Sequence, residues 1–246
     1  WALADIGILS AGGITVPIYQ SNIASEVEYV LHNSESKIVF VENKTQLEKV
    51  LAVRSRLPHL KTIITFEPVR IEDPSILSLE HFCHRGRQAK TEQKLSFQAC
   101  VDRITPRQTA TIVYTSGTTG LPKGVVLTHE NIMSELGDIA KVVPNISEKD
   151  TVLTFLPYAH ILARVEHFCG IMFGWTVAFA ESAQLVDTLS EIKPTFMFAV
   201  PRIYEKVYNR VLGQVAAGSA LKQKIFSWSV AVGRKVSQRR QQRMAL

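Results

Sequence analysis

Residues 114–124 read Tyr-Thr-Ser-Gly-Thr-Thr-Gly-Leu-Pro-Lys-Gly, and they follow directly on the run Ala110–Tyr114 (Ala-Thr-Ile-Val-Tyr). Four hydroxyl side chains, three glycines and one lysine fall within eleven residues. Glycine permits positive φ and lets the backbone come close to a ligand. Successive backbone N–H groups in such a turn form a concavity that binds anions. Thr115, Ser116, Thr118 and Thr119 add hydroxyl donors, and Lys123 adds a positive charge. The chemistry is that of a loop that holds phosphate.

The loop is not a Walker A loop. In the pattern G-x-x-x-x-G-K-[ST], Gly117 and Lys123 have the right separation. Pro122, however, takes the second glycine position, and Gly124 stands where the magnesium-binding Ser or Thr belongs. Proline has no N–H to offer a phosphate and fixes φ. A P-loop NTPase is therefore disfavoured. The plainer reading is a Gly/Thr-rich hairpin turn, but a simple turn has no need of four hydroxyls, three glycines and a Pro-Lys-Gly tail.

Outward from the loop, β-rich runs alternate with helical periodicity. Thr109–Tyr114 reads as the strand feeding the loop. Lys37–Val41 and Thr62–Phe66 read as earlier strands. Val27, Val30 and Leu31 share one helical face before the first of these, and Leu47, Val50 and Leu51 share one after it. Residues 67–107 read as loops with a short helix. Thr128 is placed as an N-cap, with Ile132, Leu136, Ile139, Ala140 and Val143 at helical spacing behind it. Then come a strand over Thr151–Leu156, a helix over Ile161–Phe173, and a strand over Thr176–Ala180. Ser182 is expected to cap a helix carrying Leu185, Leu189 and Ile192. Thr195–Val200 reads as a strand, and Pro201 as the first residue of a long helix. This alternation predicts an α/β fold of largely parallel sheet layers with flanking helices. Ligands bind such sheets at the carboxyl ends of strands. Three strand-to-helix junctions would then share a rim: the glycine loop, Pro157–His160 and Ala199–Arg202.

The 246 residues are 46% hydrophobic and 20% charged, an ordinary globular composition. No apolar run reaches the length of a membrane span. No basic, apolar leader opens the chain, and its start at Trp1 suggests a piece of a longer protein. Three scattered cysteines, Cys83, Cys100 and Cys169, suggest free thiols in a reducing, cytoplasmic setting. His81-Phe82-Cys83-His84 lacks a second ligand pair at zinc spacing and reads as a solvated loop. The net charge is +6, with Arg234, Lys235, Arg239, Arg240 and Arg243 crowded near the C-terminal end. No nucleic-acid motif accompanies them, so no nucleic-acid partner is expected. Ile225, Ser229, Val232 and Val236 recur at helical spacing beside Trp228. A basic amphipathic helix suits peripheral contact with an anionic membrane. The simpler expectation is a solvated helix that packs its apolar stripe on the parent domain.

From Ile112 through Lys123, the loop resembles the phosphate-loop signature of the adenylate-forming (AMP-binding) superfamily. Leu156–Arg164 (Leu-Pro-Tyr-Ala-His-Ile-Leu-Ala-Arg) resembles the histidine motif of its long-chain fatty acid–CoA ligases, the acyl-CoA synthetases. Gly174–Glu181, Pro194–Asn209 and the opening Asp5–Tyr19 are similar to that family as well. One departure is visible: Ala163 stands where the pattern usually carries an acidic residue, so a local ion pair of Arg164 is not expected. The adenine-binding Tyr-Gly-x-Thr-Glu stretch, the ribose-holding aspartate and the C-terminal lid domain with its lysine are not found in the sequence. Residues 1–246 thus resemble part of an N-terminal adenylation domain, expected to be inactive alone.

The resemblance implies ATP-dependent activation of a long-chain fatty acid to acyl-adenylate and then acyl-CoA, with ATP, Mg2+ and CoA as cofactor and cosubstrates. It assigns Ser116, Gly117, Thr118, Thr119, Gly120 and Lys123 to the β- and γ-phosphates, and Thr115 to phosphate and magnesium. It places His160 beside the acyl carboxylate and the α-phosphate, as the catalytic candidate. A general-base role is not assigned to it, because a fatty carboxylate is already ionised at neutral pH. Arg202 is read equally as a rim residue or a helix cap, Tyr158 as acyl lining or core packing, and Arg164 as structural. Two other functions are carried alongside. One is an aryl-acid–CoA ligase or carrier-protein adenylation domain. The other is a non-catalytic, basic, membrane-associated module.

Overall fold

A computed structural model describes residues 1–92, 96–115, 120–143, 145–181 and 184–244. Helix α1 (Ala2–Ser10) leads to α2 (Ala24–Asn33), β1 (Ile38–Val41) and α3 (Lys44–Val53). Strands β2 (Thr62–Thr65) and β3 (Ile76–Ser78) follow, then helices α4 (Leu79–Thr91) and α5 (Phe97–Val101). Next come β4 (Thr109–Thr115), β5 (Lys123–Thr128), α6 (His129–Val142), β6 (Thr151–Thr154), α7 (Ile161–Phe173) and β7 (Thr176–Phe179). Helices α8 (Leu185–Ile192), α9 (Pro201–Ala216) and α10 (Ala220–Met244) complete the chain.

Strands β1, β2 and β3 form a parallel sheet in that order, with Ile38 opposite Thr62 and Ile63 opposite Ile76. Its core is made by Leu47, Val50, Val53, Ile63 and Val27, so α2 and α3 cover one face of β1 and β2. Strands β6 and β7 pair in parallel, and Thr15 and Phe196 add single parallel bridges to Thr111 and Val152. A second core joins Leu9, Ala110, Leu136, Val152, Phe168 and Trp175, and so ties α1, β4, α6, β6 and α7 together. The predicted α/β architecture with parallel sheets and flanking helices is present.

Several local expectations are met at the residue level. Thr128 caps α6, accepting a hydrogen bond from the Asn131 amide at 3.2 Å while Asn131 Oδ1 accepts from the Thr128 amide. Val27, Val30 and Leu31 are the buried face of α2, α7 runs Ile161–Phe173, and Pro201 opens α9. Others are corrected. Residues 67–107 hold β3, α4 and α5 rather than mostly loops, and His81 to His84 lie on α4. Ser78 caps α4, its hydroxyl accepting from the His81 amide at 3.1 Å. That helix buries none of its residues, so apolar periodicity had little to report there. Within Thr195–Val200, only Phe196 makes a bridge. Phe196 and Phe198 pack their rings on Trp175 at 5.0 and 6.2 Å, so burial of aromatic surface produced the β-like pattern. The cap position of α8 is Gln184, and Ser182 lies outside the described residues. On α10, Ile225, Trp228, Val232 and Val236 are exposed, so the stripe does not pack on the parent residues as expected.

Candidate functional site

The glycine loop connects β4 to β5, an antiparallel hairpin, and so it is not a strand-to-helix junction. The apolar run Val125-Val126-Leu127 was readable, but a strand directly after the loop was not assigned. Ladder pairing runs from Thr109 opposite Thr128 to Thr115 opposite Lys123. Residues directly opposite in an antiparallel pair project to the same face, with Cβ atoms about 5 Å apart. The hairpin therefore sets the Thr115 and Lys123 side chains on one face at the base of the loop, both exposed. Ser116, Gly117, Thr118 and Thr119 lie outside the described residues.

Two of the loop's glycines are glycine for different reasons. Gly120 has φ +152°, which side chains disfavour, and open space lies where its Cβ would be. At Gly124 the reason is room: a Cβ would stand 2.8 Å from Ile112 Cγ2 and 3.3 Å from the Tyr114 ring. The residue that departs from Walker A is thus explained by packing in the hairpin.

The hairpin is braced by α2. Tyr29 Oη donates to the Pro122 carbonyl at 2.9 Å, and Tyr114 Oη donates to Asn33 Oδ1 at 2.6 Å. The two tyrosine rings meet edge to face at 6.1 Å. Burial holds the Tyr114 hydroxyl above its ordinary pKa, and Tyr29 reinforces this, so it remains a donor at neutral pH. Tyr29 and Asn33 carry no motif that marks them in the sequence. Their i, i+4 spacing places them on one helical face, but nothing local indicates the partner.

His160 is exposed and caps α7. Its Nδ1 accepts from the Leu162 amide at 3.2 Å. A neutral imidazole that accepts at Nδ1 carries its proton on Nε2, so His160 presents a hydrogen-bond donor to solvent. No hydrogen bond among the described residues joins His160 to Thr115, Gly120 or Lys123. Arg202, in the first turn of α9, is exposed.

Behind His160, helix α7 buries charge. Arg164 and Glu166 are almost wholly enclosed. Arg164 donates to both carboxylate oxygens of Asp5, at 2.8 and 3.1 Å from Nη2, and to Thr111 Oγ1 at 2.5 Å. Thr111 in turn donates to the Thr15 carbonyl at 2.6 Å. The Arg164 guanidinium also stands 5.5 Å from the rings of Trp1 and Phe168. Burial pulls its pKa down against the opposing pull of Asp5. The pairing acid that Ala163 could not supply locally comes from α1, 159 residues away. Glu166 Oε1 accepts from the Thr154 hydroxyl, while Oε2 has no partner among the described residues. Burial pushes this carboxyl up to about 7, against the lowering effect of Thr154. Beside it, burial and the charge of Glu166 push the Tyr158 hydroxyl up to about 12. A glutamate this deep was missed because one acidic residue inside an apolar helix reads as an exposed position.

Tyr158 stacks on Trp1 at 5.2 Å and lines a cleft of about 610 Å³. Pro157, Asp5, Ile14, Val16 and Phe40 share its wall, so the turn before His160 borders a largely apolar recess. This accommodates both readings of Tyr158, packing on one ring face and lining a recess. Among the described residues, no group of three His, Cys, Asp or Glu could hold a metal ion.

The profile of the AMP-binding enzyme family matches residues 1–245. The chain is 34% identical over 242 residues to the long-chain-fatty-acid–CoA ligase ACSBG2 of Xenopus laevis, covering 95% of this chain and 32% of that protein. It is 35% identical over 243 residues to ACSBG2 of Gallus gallus, with the same coverage. The chain thus spans about a third of the length of these relatives. In structure it is similar to the inhibitor-bound N-terminal domain of FACL13 from Mycobacterium tuberculosis, with a TM-score of 0.60 and 25% identity over 81% of this chain and 46% of that one. A family profile matched over residues 1–245, on a hairpin whose ladder closes at Thr115 and Lys123, places the chain in the AMP-binding enzyme family.

Proposed function

We propose that this chain is part of the N-terminal adenylation domain of an ATP-dependent long-chain fatty acid–CoA ligase. The observation that carries the proposal is the family match over residues 1–245 and the likeness to relatives that bear this name, together with Thr115 and Lys123 set opposite each other in the hairpin ladder at the base of the glycine loop. In this reading, Lys123 and Gly120 hold the β- and γ-phosphates with Ser116, Gly117, Thr118 and Thr119. Displacement at the α-phosphate releases pyrophosphate and needs charge neutralisation and alignment more than covalent help. A fixed ammonium at the loop base supplies the first, and the hairpin ladder supplies the second.

Magnesium fits the loop base in a limited way. The ion keeps most of its waters and takes phosphate oxygens, so one hydroxyl from Thr115 is enough and no carboxylate cage is required. When bound, it neutralises charge on the phosphate oxygens. His160 offers its Nε2–H toward the carboxylate and the α-phosphate oxygens. CoA thiol would displace AMP in a second step that uses residues outside this chain.

The test is acid-dependent pyrophosphate–ATP exchange by the full-length protein with acids of graded chain length. Exchange rising with aliphatic chains of sixteen or so carbons supports the reading. Exchange with aryl acids alone transfers the chain to the aryl-acid branch, and none with any acid rejects adenylation.

A further inference from the structure

The loop base is held from one side by a helix that belongs to a different core. Helix α2 buries Val27, Val30 and Leu31 against the β1–β3 sheet. On its opposite side it presents Tyr29 and Asn33, one turn apart. Tyr29 reaches the carbonyl of Pro122, the residue immediately before Lys123. Asn33 receives the hydroxyl of Tyr114, the residue immediately before Thr115. Each member of the closing pair Thr115–Lys123 therefore has a chain neighbour tied to the same helix.

Neither tie is explained by burial. Asn33 is exposed and Tyr29 is half-buried. A hydrogen bond at such a site adds little net stability, because water competes for both partners. Its geometric effect is larger. Pro122 has no N–H, so its carbonyl is the backbone group through which its position can be fixed by a hydrogen bond. The ring of Tyr114 also packs under Gly124, so movement of Tyr114 would displace both strands at once.

We infer that Tyr29 and Asn33 are positioning residues for the triphosphate end of the site, holding Lys123 and Thr115 in register with the parallel sheet through Pro122 and Tyr114. The inference rests on the phosphate-binding reading proposed above. A misplacement of about 1 Å in a positioned group can cost on the order of 100-fold in rate, so loss of one tie from a two-tie brace is expected to act on ATP more than on stability.

The experiment uses the full-length protein carrying Tyr29→Phe, Asn33→Leu, Asn33→Asp or Lys123→Ala. ATP binding is measured by titration calorimetry without acid, and KM for ATP and for the fatty acid by pyrophosphate exchange. Tyr29→Phe and Asn33→Leu are expected to weaken ATP binding and raise its KM about tenfold, with the acid KM and the melting temperature held. Asn33→Asp, which keeps an acceptor for Tyr114, is expected to restore ATP binding to within about twofold. Unchanged ATP affinity in Tyr29→Phe and Asn33→Leu, while Lys123→Ala loses it, overturns the brace and leaves the phosphate reading intact. Unchanged ATP affinity in Lys123→Ala overturns both. Parallel loss of ATP affinity, acid affinity and melting temperature in Tyr29→Phe shows a structural contact only, and also overturns it.

Discussion

The carboxylate of Asp5 and the guanidinium of Arg164 meet at 2.8 Å with both side chains shut off from solvent, although 159 residues separate them. The pair joins α1 to α7 and, through Thr111, to β4, the strand that carries the glycine loop. A buried pair whose remaining donors are satisfied is a strong geometric constraint, but not necessarily a large net stabiliser. Asp5→Ala is expected to destabilise by about 3–5 kcal/mol, because it strands a buried cation. The double variant Asp5→Leu/Arg164→Met is expected to recover most of that loss. Urea unfolding midpoints decide: a single variant within 1 kcal/mol of the parent would contradict the account.

The double position of His160, as cap and as site donor, can be separated. His160→Asn keeps a side-chain acceptor for the Leu162 amide and removes the imidazole. His160→Ala removes both and is expected to cost about 1 kcal/mol of stability. Acid-dependent exchange is expected to fall at least tenfold in both variants. Full activity in His160→Asn would reduce the residue to a helix cap.

Glu166 makes stability depend on pH in a specified direction. Its folded pKa lies near 7, above the ordinary carboxylate value of 4.5, so the folded state binds the proton more tightly than the unfolded state. The neutral form's advantage is fully present below pH 4.5 and is lost progressively as pH rises through 7. At about 1.4 kcal/mol per pKa unit, the effect is on the order of 3–4 kcal/mol. Glu166→Gln is expected to match the parent near pH 5 and to exceed it in melting temperature at pH 8. A constant difference between the two proteins across that range would show that Glu166 is ionised in the fold.

The two glycines should respond to alanine by different mechanisms. Gly124→Ala inserts a methyl against Ile112 and the Tyr114 ring and is expected to cost about 1–3 kcal/mol. Adding Ile112→Ala, which removes the clashing Cγ2, should relieve part of that cost. Gly120→Ala meets no neighbour, so its penalty is backbone strain of about 1–3 kcal/mol that no second substitution relieves. Rescue of Gly120→Ala by Ile112→Ala, or none of Gly124→Ala, would show that these assignments are reversed.

Lys123→Ala gives the most direct reading of the phosphate assignment. The side chain is exposed, so the melting temperature is expected to stay within about 1 °C while KM for ATP rises at least tenfold. Unchanged ATP kinetics would remove Lys123 from the site.

Much of this protein was legible along the chain because the relevant signals are local. The Thr128 cap, the boundaries of α7, the buried face of α2 and the proline that opens α9 all depend on residues within one or two turns. The phosphate chemistry of the glycine loop was equally local, since it lies in residue types at fixed spacing. Helix α4 was not legible because it is exposed all round and has no apolar face to announce it. Strand β5 was missed because the loop was read as a turn into a helix. What only the tertiary structure decided was partnership. Asp5 for Arg164, Thr154 for Glu166 and α2 for the hairpin are selected by packing between distant segments, and a carboxylate or a tyrosine carries no mark in sequence of which distant group will meet it. The residues therefore determined that a loop rich in glycine, hydroxyls and lysine exists, and the packing of α1, α2 and α7 around β4 determined where its lysine and threonine are held.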